Sequence, residues 1–147
     1  MTVVAEFDAK VERVWQIWED PRKLERWWGP PTWPAKFVSH DFVSGGKASY
    51  YMSGPDGEKA AGWWLFNDIS APTTLSFDDG FADDSGNPSS TLPVTHAVVT
   101  LEDVDGRTRM TIRSRFDSLS QLEELVAMGM EEGMASAIGQ IDAIVAE

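Results

Sequence analysis

A hairpin in the last third of the chain sets the first constraint on the fold. Two runs rich in β-branched residues, 95–104 and 107–116, flank Asp105-Gly106, a pair typical of tight β-turns. In the second run the arginines alternate with mostly apolar residues, which are Met110, Ile112, Ser114 and Phe116. Since successive side chains of a strand point to opposite faces, we predict an antiparallel sheet with one solvated face and one covered face.

The segment after the hairpin has the pattern of a helix that could cover this sheet. Ser118 or Ser120 can cap its start, and Glu123 stands three residues after Ser120, as in a capping box. Apolar residues then recur at helical spacing. They are Leu122, Leu125, Val126, Met130, Met134, Ala137, Ile138, Ile141 and Val145.

The rest of the chain completes an α+β pattern. A strand over 3–7 is followed by two short helices, separated by Asp20-Pro21 and ended by Gly29-Pro30-Pro31. Four more strands are predicted at 37–43, 47–52, 61–69 and 74–77, followed by a long loop over 78–93. We therefore expect residues 1–147 to form a single domain, with a curved antiparallel sheet, two short N-terminal helices and one long C-terminal helix.

Composition excludes several classes of function. The chain has no cysteine, so disulfides and thiolate metal sites are ruled out. Its net charge of −12 disfavours nucleic acids and anionic membranes as partners, and we interpret the arginine face as a solvated surface. No apolar run approaches the roughly 18 residues that a membrane span needs, and the first ten residues do not resemble a secretion signal. We expect no membrane insertion and a cytoplasmic location.

Motifs in order along the chain resemble SRPBCC proteins of the Hsp90-ATPase-activator-like group. The opening signature is the stretch from Val14 to Pro21 with Leu24 and Trp27-Trp28-Gly29-Pro30. Asp41 with Gly45-Gly46 is similar to a strand turn of that group. Further matches are Gly62, Ile69, Pro72, the stretch 75–81, the stretch 106–116 and the helix segment 128–133.

This resemblance implies a helix-grip fold of the START or Bet v 1-like kind, with a cavity between the sheet and the long helix. It does not imply activation of Hsp90, because the eukaryotic activators carry an additional chaperone-binding domain. It also implies no specific role, since fold alone does not define function.

Tryptophans in the first half of the chain are candidates for the cavity wall. They are Trp27, Trp28, Trp33, Trp63 and Trp64. Large rings line small-molecule pockets, but they also fill cores, so the sequence leaves both interpretations open. Of the adjacent pair on one strand, alternation with Gly62 and Phe66 predicts that Trp64 faces inward.

A methionine and glycine cluster on the C-terminal helix is the second candidate. Each glycine weakens a helix interior by about 1 kcal/mol relative to alanine. The presence of Gly129 and Gly133 in a predicted helix therefore indicates a structural requirement at these positions. Either a neighbour approaches closely or space is left open, and we favour close packing for the glycines. Met130 and Met134 we assign to a pocket, since methionine adapts to varied apolar shapes.

No pattern in the sequence indicates a metal, a cofactor or a catalytic motif. Within the 83–87 stretch, Asp83, Ser85 and Asn87 alternate like the start of a calcium loop, but Pro88 and Val94 stand where that loop needs glycine and glutamate. We interpret this stretch, with Asp78-Asp79 before it, as solvated turns. His96 is expected to face outward, and no zinc-binding histidine spacing exists.

The leading hypothesis is a small-molecule binding domain for an apolar or amphipathic ligand. The predicted lining is Trp28, Phe37, Tyr50, Trp64, Phe66, Phe77, Met110, Ile112, Met130 and Met134. An enzyme, such as a cyclase, hydrolase or lyase, stays an alternative if Tyr50, His40 or Asp41 has a polar partner inside the cavity. A homodimer or a chaperone-associated protein is the third alternative.

Overall fold

In a computed structural model that describes residues 1–83, 85–89 and 91–147, seven strands form one antiparallel sheet in the order β1-β7-β6-β5-β4-β3-β2. Each neighbouring pair is antiparallel. The predicted α+β class and curved sheet are confirmed. The strands are β1 (Thr2–Phe7), β2 (Ala35–His40), β3 (Lys47–Ser53), β4 (Lys59–Ser70), β5 (Thr74–Phe81), β6 (Thr95–Val104) and β7 (Arg107–Arg115).

The hairpin that sets the sheet's faces forms as predicted. Val104 pairs with Arg107, and Asp105 and Gly106 both have positive φ angles, 56° and 84°, as a two-residue hairpin turn of this kind requires. On β7, Met110 and Ile112 are buried. Arg107, Arg113 and Arg115 are exposed.

Strand β5 is longer than the sequence pattern predicts, and the predicted loop begins later. The strand continues past Phe77 to Phe81, so that Asp79 pairs with Trp64 on β4 and with Thr95 on β6. The interpretation of Asp78-Asp79 as solvated turns is therefore wrong. Backbone pairing on both sides outweighs the low strand preference of aspartate, which reflects context more than the backbone itself.

Two short helices follow β1, as expected. They are α1 (Val11–Glu19) and α2 (Pro21–Leu24), and the Asp20 carboxylate accepts a hydrogen bond from the Arg22 backbone N–H at 2.9 Å. Their buried face includes Ile17, Trp18 and Leu24, which places them against the inner face of the sheet.

The C-terminal segment is helical but not one continuous helix. It divides into α3 (Leu119–Ala127), α4 (Met130–Ile138) and α5 (Ile141–Val145). Gly129 has a left-handed φ of 88°, which a right-handed helix cannot incorporate, and this explains the break between α3 and α4. Ser118 caps α3 by accepting a hydrogen bond from the Gln121 N–H at 3.2 Å. None of the described helices has the length and apolar character needed to cross a bilayer.

An aromatic core fills the space between the sheet and helices α1, α2 and α5. Trp64 stacks on Phe77 with ring centroids 4.1 Å apart, and Trp18 meets Trp27 edge to face at 4.9 Å. The predicted inward orientation of Trp64 is confirmed, since it is fully buried. Its neighbour Trp63 lies on the opposite face, where its indole N–H donates to the Phe81 carbonyl.

Candidate functional site

Beyond the aromatic core, a cavity of about 370 Å³ lies between the sheet and helices α3 and α4. The sheet contributes residues from β3 and β5 and Thr95 from β6, and the segment after α2 contributes Pro30 and Trp33. This volume is within the range of small-molecule sites. The lining consists of Trp28, Pro30, Trp33, Tyr50, Met52, Asp79, Gly80, Phe81, Thr95, Leu125, Met128, Gly129, Met130, Gly133 and Met134.

Four of the ten predicted lining residues lie at this cavity. They are Trp28, Tyr50, Met130 and Met134. The other six lie in the packed core, with at most 3% of each residue exposed: Phe37, Trp64, Phe66, Phe77, Met110 and Ile112. Close contacts among their rings fill the space that a ligand would need, as between Trp64 and Phe77. Their role in ligand binding stays a prediction.

The two helix glycines leave open space instead of admitting a close neighbour. A Cβ atom added to Gly129 or to Gly133 would meet no atom within 4 Å beyond the adjacent residues and the helix's own backbone. The preference for close packing at these glycines is therefore wrong, and the alternative of space left open fits the structure. A larger side chain at position 133 would extend into the cavity that this residue lines.

A tyrosine and an aspartate form a polar pair in the otherwise largely apolar lining. Tyr50 on β3 and Asp79 on β5 are separated by β4, where Gly62 is the pairing partner of Tyr50. The Tyr50 ring lies over Gly62, where any side chain would collide with it. This absence of a side chain lets the Tyr50 hydroxyl reach across β4 and donate to Asp79 Oδ1 at 2.8 Å.

The surroundings of this pair shift the pKa of both groups. Burial raises the pKa of Asp79 to about 7, although the hydrogen bond from Tyr50 acts in the opposite direction. Burial, followed by the charge of Asp79, raises the pKa of Tyr50 well above its usual value. Near neutral pH the pair therefore consists of a neutral tyrosine and a carboxyl group that titrates in this range.

The sequence carries a signal for Asp79 that the prediction of a loop after Phe77 missed. Leu75 and Phe77 face the core, and continuing their alternation by two residues places Asp79 on the same face. Tyr50 was predicted at the cavity, but its partner on a strand 29 residues away follows only from the pairing of β3, β4 and β5.

The other polar residues considered from the sequence lie elsewhere. A register shift between Phe37 and Ser39 turns His40 inward, where its Nε2 lies 3.1 Å from the Trp18 carbonyl oxygen. Burial lowers the pKa of this histidine. Neither His40 nor Asp41 is part of the cavity lining. The enzyme alternative therefore depends on Tyr50 alone among its three named residues.

The remaining histidine and the aspartate-rich stretch are on the outside of the domain. His96 contacts the carboxylates of Asp78 and Asp117, at 2.7 and 3.1 Å. Asp83 Oδ1 accepts hydrogen bonds from the backbone N–H groups of Ser85 and Asn87, which is the geometry of a turn. Asp84 lies outside the described residues. Within the described ranges no group of three or more acidic or histidine side chains could hold a metal ion.

A family profile matches nearly the whole chain. The sequence profile of the family described as "Activator of Hsp90 ATPase homolog 1-like protein" matches residues 8–146. No curated protein matches the chain.

Solved structures extend the comparison to three dimensions. A protein from Arthrobacter aurescens, solved by NMR, is 63% identical with a TM-score of 0.95, over 99% of this chain and 84% of that one. A protein from Mycobacterium smegmatis, solved by crystallography, is 49% identical with a TM-score of 0.89, over 97% of this chain and 88% of that one. The AHSA1 protein from Silicibacter pomeroyi is 22% identical with a TM-score of 0.75, over 99% and 96%, and this likeness concerns the fold alone.

Proposed function

The chain belongs to the family of activator of Hsp90 ATPase homolog 1-like proteins, and on this premise we propose that it binds a small apolar or amphipathic molecule in the cavity between the sheet and helices α3 and α4. The observation that carries the proposal is the cavity of about 370 Å³ next to a core that is otherwise closely packed. A cavity of this volume can enclose most of the surface of a small molecule and remove it from water.

The chemistry of the wall supports an apolar ligand body. Aromatic rings come from Trp28, Trp33 and Phe81, and thioethers from Met52 and the α3–α4 segment. Removing apolar surface from water contributes about 25 cal/mol per Å². Methionine side chains adjust to ligands of different shape, so this wall favours a range of related molecules over one rigid compound.

Two experiments test the binding function. Native mass spectrometry of freshly purified protein would show a small molecule that has co-purified. A thermal-shift screen of lipids, aromatic compounds and polyketides would show stabilisation of about 2.7 kcal/mol for a ligand at a hundred times its dissociation constant. If neither method detects a ligand across a broad library, the proposal is wrong.

A matched pair of variants locates the binding site. Gly133→Leu extends a side chain into the cavity, whereas Ser136→Leu adds the same side chain at an exposed position of the same helix. We expect ligand-induced stabilisation to be lost in Gly133→Leu and kept in Ser136→Leu. Equal stabilisation of both variants would place the ligand outside this cavity.

A second candidate function, an enzyme acting on a hydrophobic substrate, is favoured by the Tyr50–Asp79 pair. A carboxyl group with a pKa of about 7 suits proton transfer at neutral pH, as a cyclase, hydrolase or lyase would need. The test is to follow the mass of a co-purified molecule over time. Conversion by the wild-type protein but not by Asp79→Asn would support catalysis, and an unchanged mass in both would favour binding alone.

Partners and location stay predictions. Sedimentation at several protein concentrations would separate a monomer from a homodimer. A cytoplasmic location would be tested by fractionation of cells that express the tagged protein.

A further inference from the structure

We propose that the ligand is a hydrophobic amine whose protonated nitrogen pairs with the Asp79 carboxylate while its apolar body fills the cavity. This inference rests on the proposed binding function and names the chemical class of the ligand. It follows from the charge and the surroundings of one residue, Asp79, and from the character of the wall around it.

Asp79 is an acid without a cationic partner in the cavity. Among the described residues that form the lining, it is the one acidic side chain, and none is lysine, arginine or histidine. Its described hydrogen-bonding neighbours are neutral: the Tyr50 hydroxyl donates to it at 2.8 Å, and the Trp64 side chain also acts to lower its pKa. A carboxylate removed from water is costly unless it is paired and hydrogen-bonded. A ligand with a positive charge would supply the missing half of such a pair.

The wall around Asp79 suits a cation with an apolar body. Trp28, Trp33, Tyr50 and Phe81 bring aromatic rings to the same cavity, and aromatic faces attract ammonium groups. The chain's net charge of −12 also favours the approach of a cation. A fatty acid or another anion would instead place a second negative charge beside the Asp79 carboxylate.

None of the described groups that face Asp79 changes its charge near neutral pH. They are Tyr50 from β3, Trp64 from β4 and Thr95 from β6, with Met130 and Met134 lining the cavity from α4. Tyr50 stays neutral in the accessible pH range because its pKa is raised. An amine keeps its proton well above neutral pH. The attraction should therefore grow as Asp79 loses its proton.

A pair of probes that differ in one group tests the inference. The first probe is 4-phenylbutylamine and the second is 4-phenylbutan-1-ol, which has the same apolar body without the charge. Calorimetric titration at about pH 8.5 should show the amine binding about tenfold more tightly to the wild-type protein. At about pH 5.5, where Asp79 is protonated, the preference should shrink to near one.

Two variants that each remove one negative charge give the control. Asp79→Asn removes the carboxylate in the cavity, and Asp78→Asn removes the one beside it, which contacts His96 on the other face of the sheet. We expect Asp79→Asn to bind both probes equally and Asp78→Asn to keep the preference for the amine.

Each other outcome separates the two proposals. Equal binding of both probes to the wild-type protein, or a preference that persists in Asp79→Asn, would overturn the amine and leave the binding function standing. Binding of neither probe would overturn the amine as the ligand class, and the broad ligand screen would still decide the binding function. The pH comparison uses the wild-type protein alone, so the inference stays testable if a variant fails to fold.

Discussion

The sheet is covered differently at its two ends, although aromatic side chains are abundant at both. Under α1 and α2, rings pack on rings, and Trp18, Trp64 and Phe77 are almost completely buried. Under α3 and α4, Trp28 and Tyr50 have ring neighbours on one side and a cavity on the other. The kind of side chain on the sheet is therefore not what distinguishes a solid interior from a hollow one.

The covering helices make the difference. The helix α1 places Trp15, Ile17 and Trp18 against the sheet. The α3–α4 segment has two glycines with open space where a Cβ would lie, and its buried residues among those described are Leu125 and Ala137. The two glycines leave space on the α3–α4 side, whereas large side chains of α1 fill the corresponding space at the other end of the sheet.

Truncating one side chain at each end should give the largest contrast. We expect Trp64→Ala to lower the free energy of unfolding by about 3–5 kcal/mol, because it leaves a hole in a closely packed core. We expect Met134→Ala to lower it by less than about 1.5 kcal/mol, since this side chain already borders a void. Urea unfolding of both variants measures the difference, and similar losses would show that the two ends are equally packed.

The pH dependence of stability should be the next largest effect. The folded protein keeps the Asp79 proton until about pH 7, whereas an unfolded chain loses it near pH 4. The folded state binds more protons in this window, so raising the pH from about 4 to about 7 should destabilise the protein, on the order of 2 kcal/mol. Urea unfolding across this range would measure the change.

Asp79→Asn is the control for this pH effect. His40 acts in the opposite direction: its pKa is lowered in the folded state, so stability is lost as the pH falls below the usual histidine value of about 6.5. Subtracting the Asp79→Asn curve from the wild-type curve removes this contribution. A difference that does not change with pH would contradict the raised pKa of Asp79.

Adding a methyl group beneath Tyr50 should affect both stability and the polar pair. Gly62→Ala places a Cβ against the Tyr50 ring and should cost about 1–3 kcal/mol through overpacking. The displaced hydroxyl would lose its hydrogen bond to Asp79. Thermal unfolding measures the cost, and a shifted tyrosine absorbance spectrum would report the displacement. If neither the unfolding temperature nor the absorbance spectrum changes, the Tyr50 ring can move to accommodate the added methyl group at little cost.

The smallest expected effect has the opposite sign. Gly133→Ala adds a methyl group in open space and improves helix preference, so it should stabilise the protein by about 0.5–1 kcal/mol. Gly129→Ala should instead destabilise it, because alanine is strained at a φ of 88°. Urea unfolding distinguishes the two signs, and a loss of stability in Gly133→Ala would mean that this part of the interior is already filled.

Much of the fold could be predicted from local pattern. The alternation on β7 and the Asp105-Gly106 turn set the hairpin, and the inward face of Trp64 followed from its neighbours. The site was harder to predict than the fold. Asp79 is part of a strand because it pairs with β4 on one side and β6 on the other, and the local sequence does not show this pairing. The division of the C-terminal helix was also missed, since glycine in a helical pattern does not reveal its φ angle.

The amino-acid sequence alone determined the α+β class, the faces of the sheet and the absence of thiol chemistry, because these depend on residue type and on spacing along the chain. Only the tertiary structure decided where the interior is solid and where it is hollow, and that Tyr50 meets Asp79 across Gly62. Such features depend on which distant segments lie opposite one another, and spacing within a single element carries no information about that.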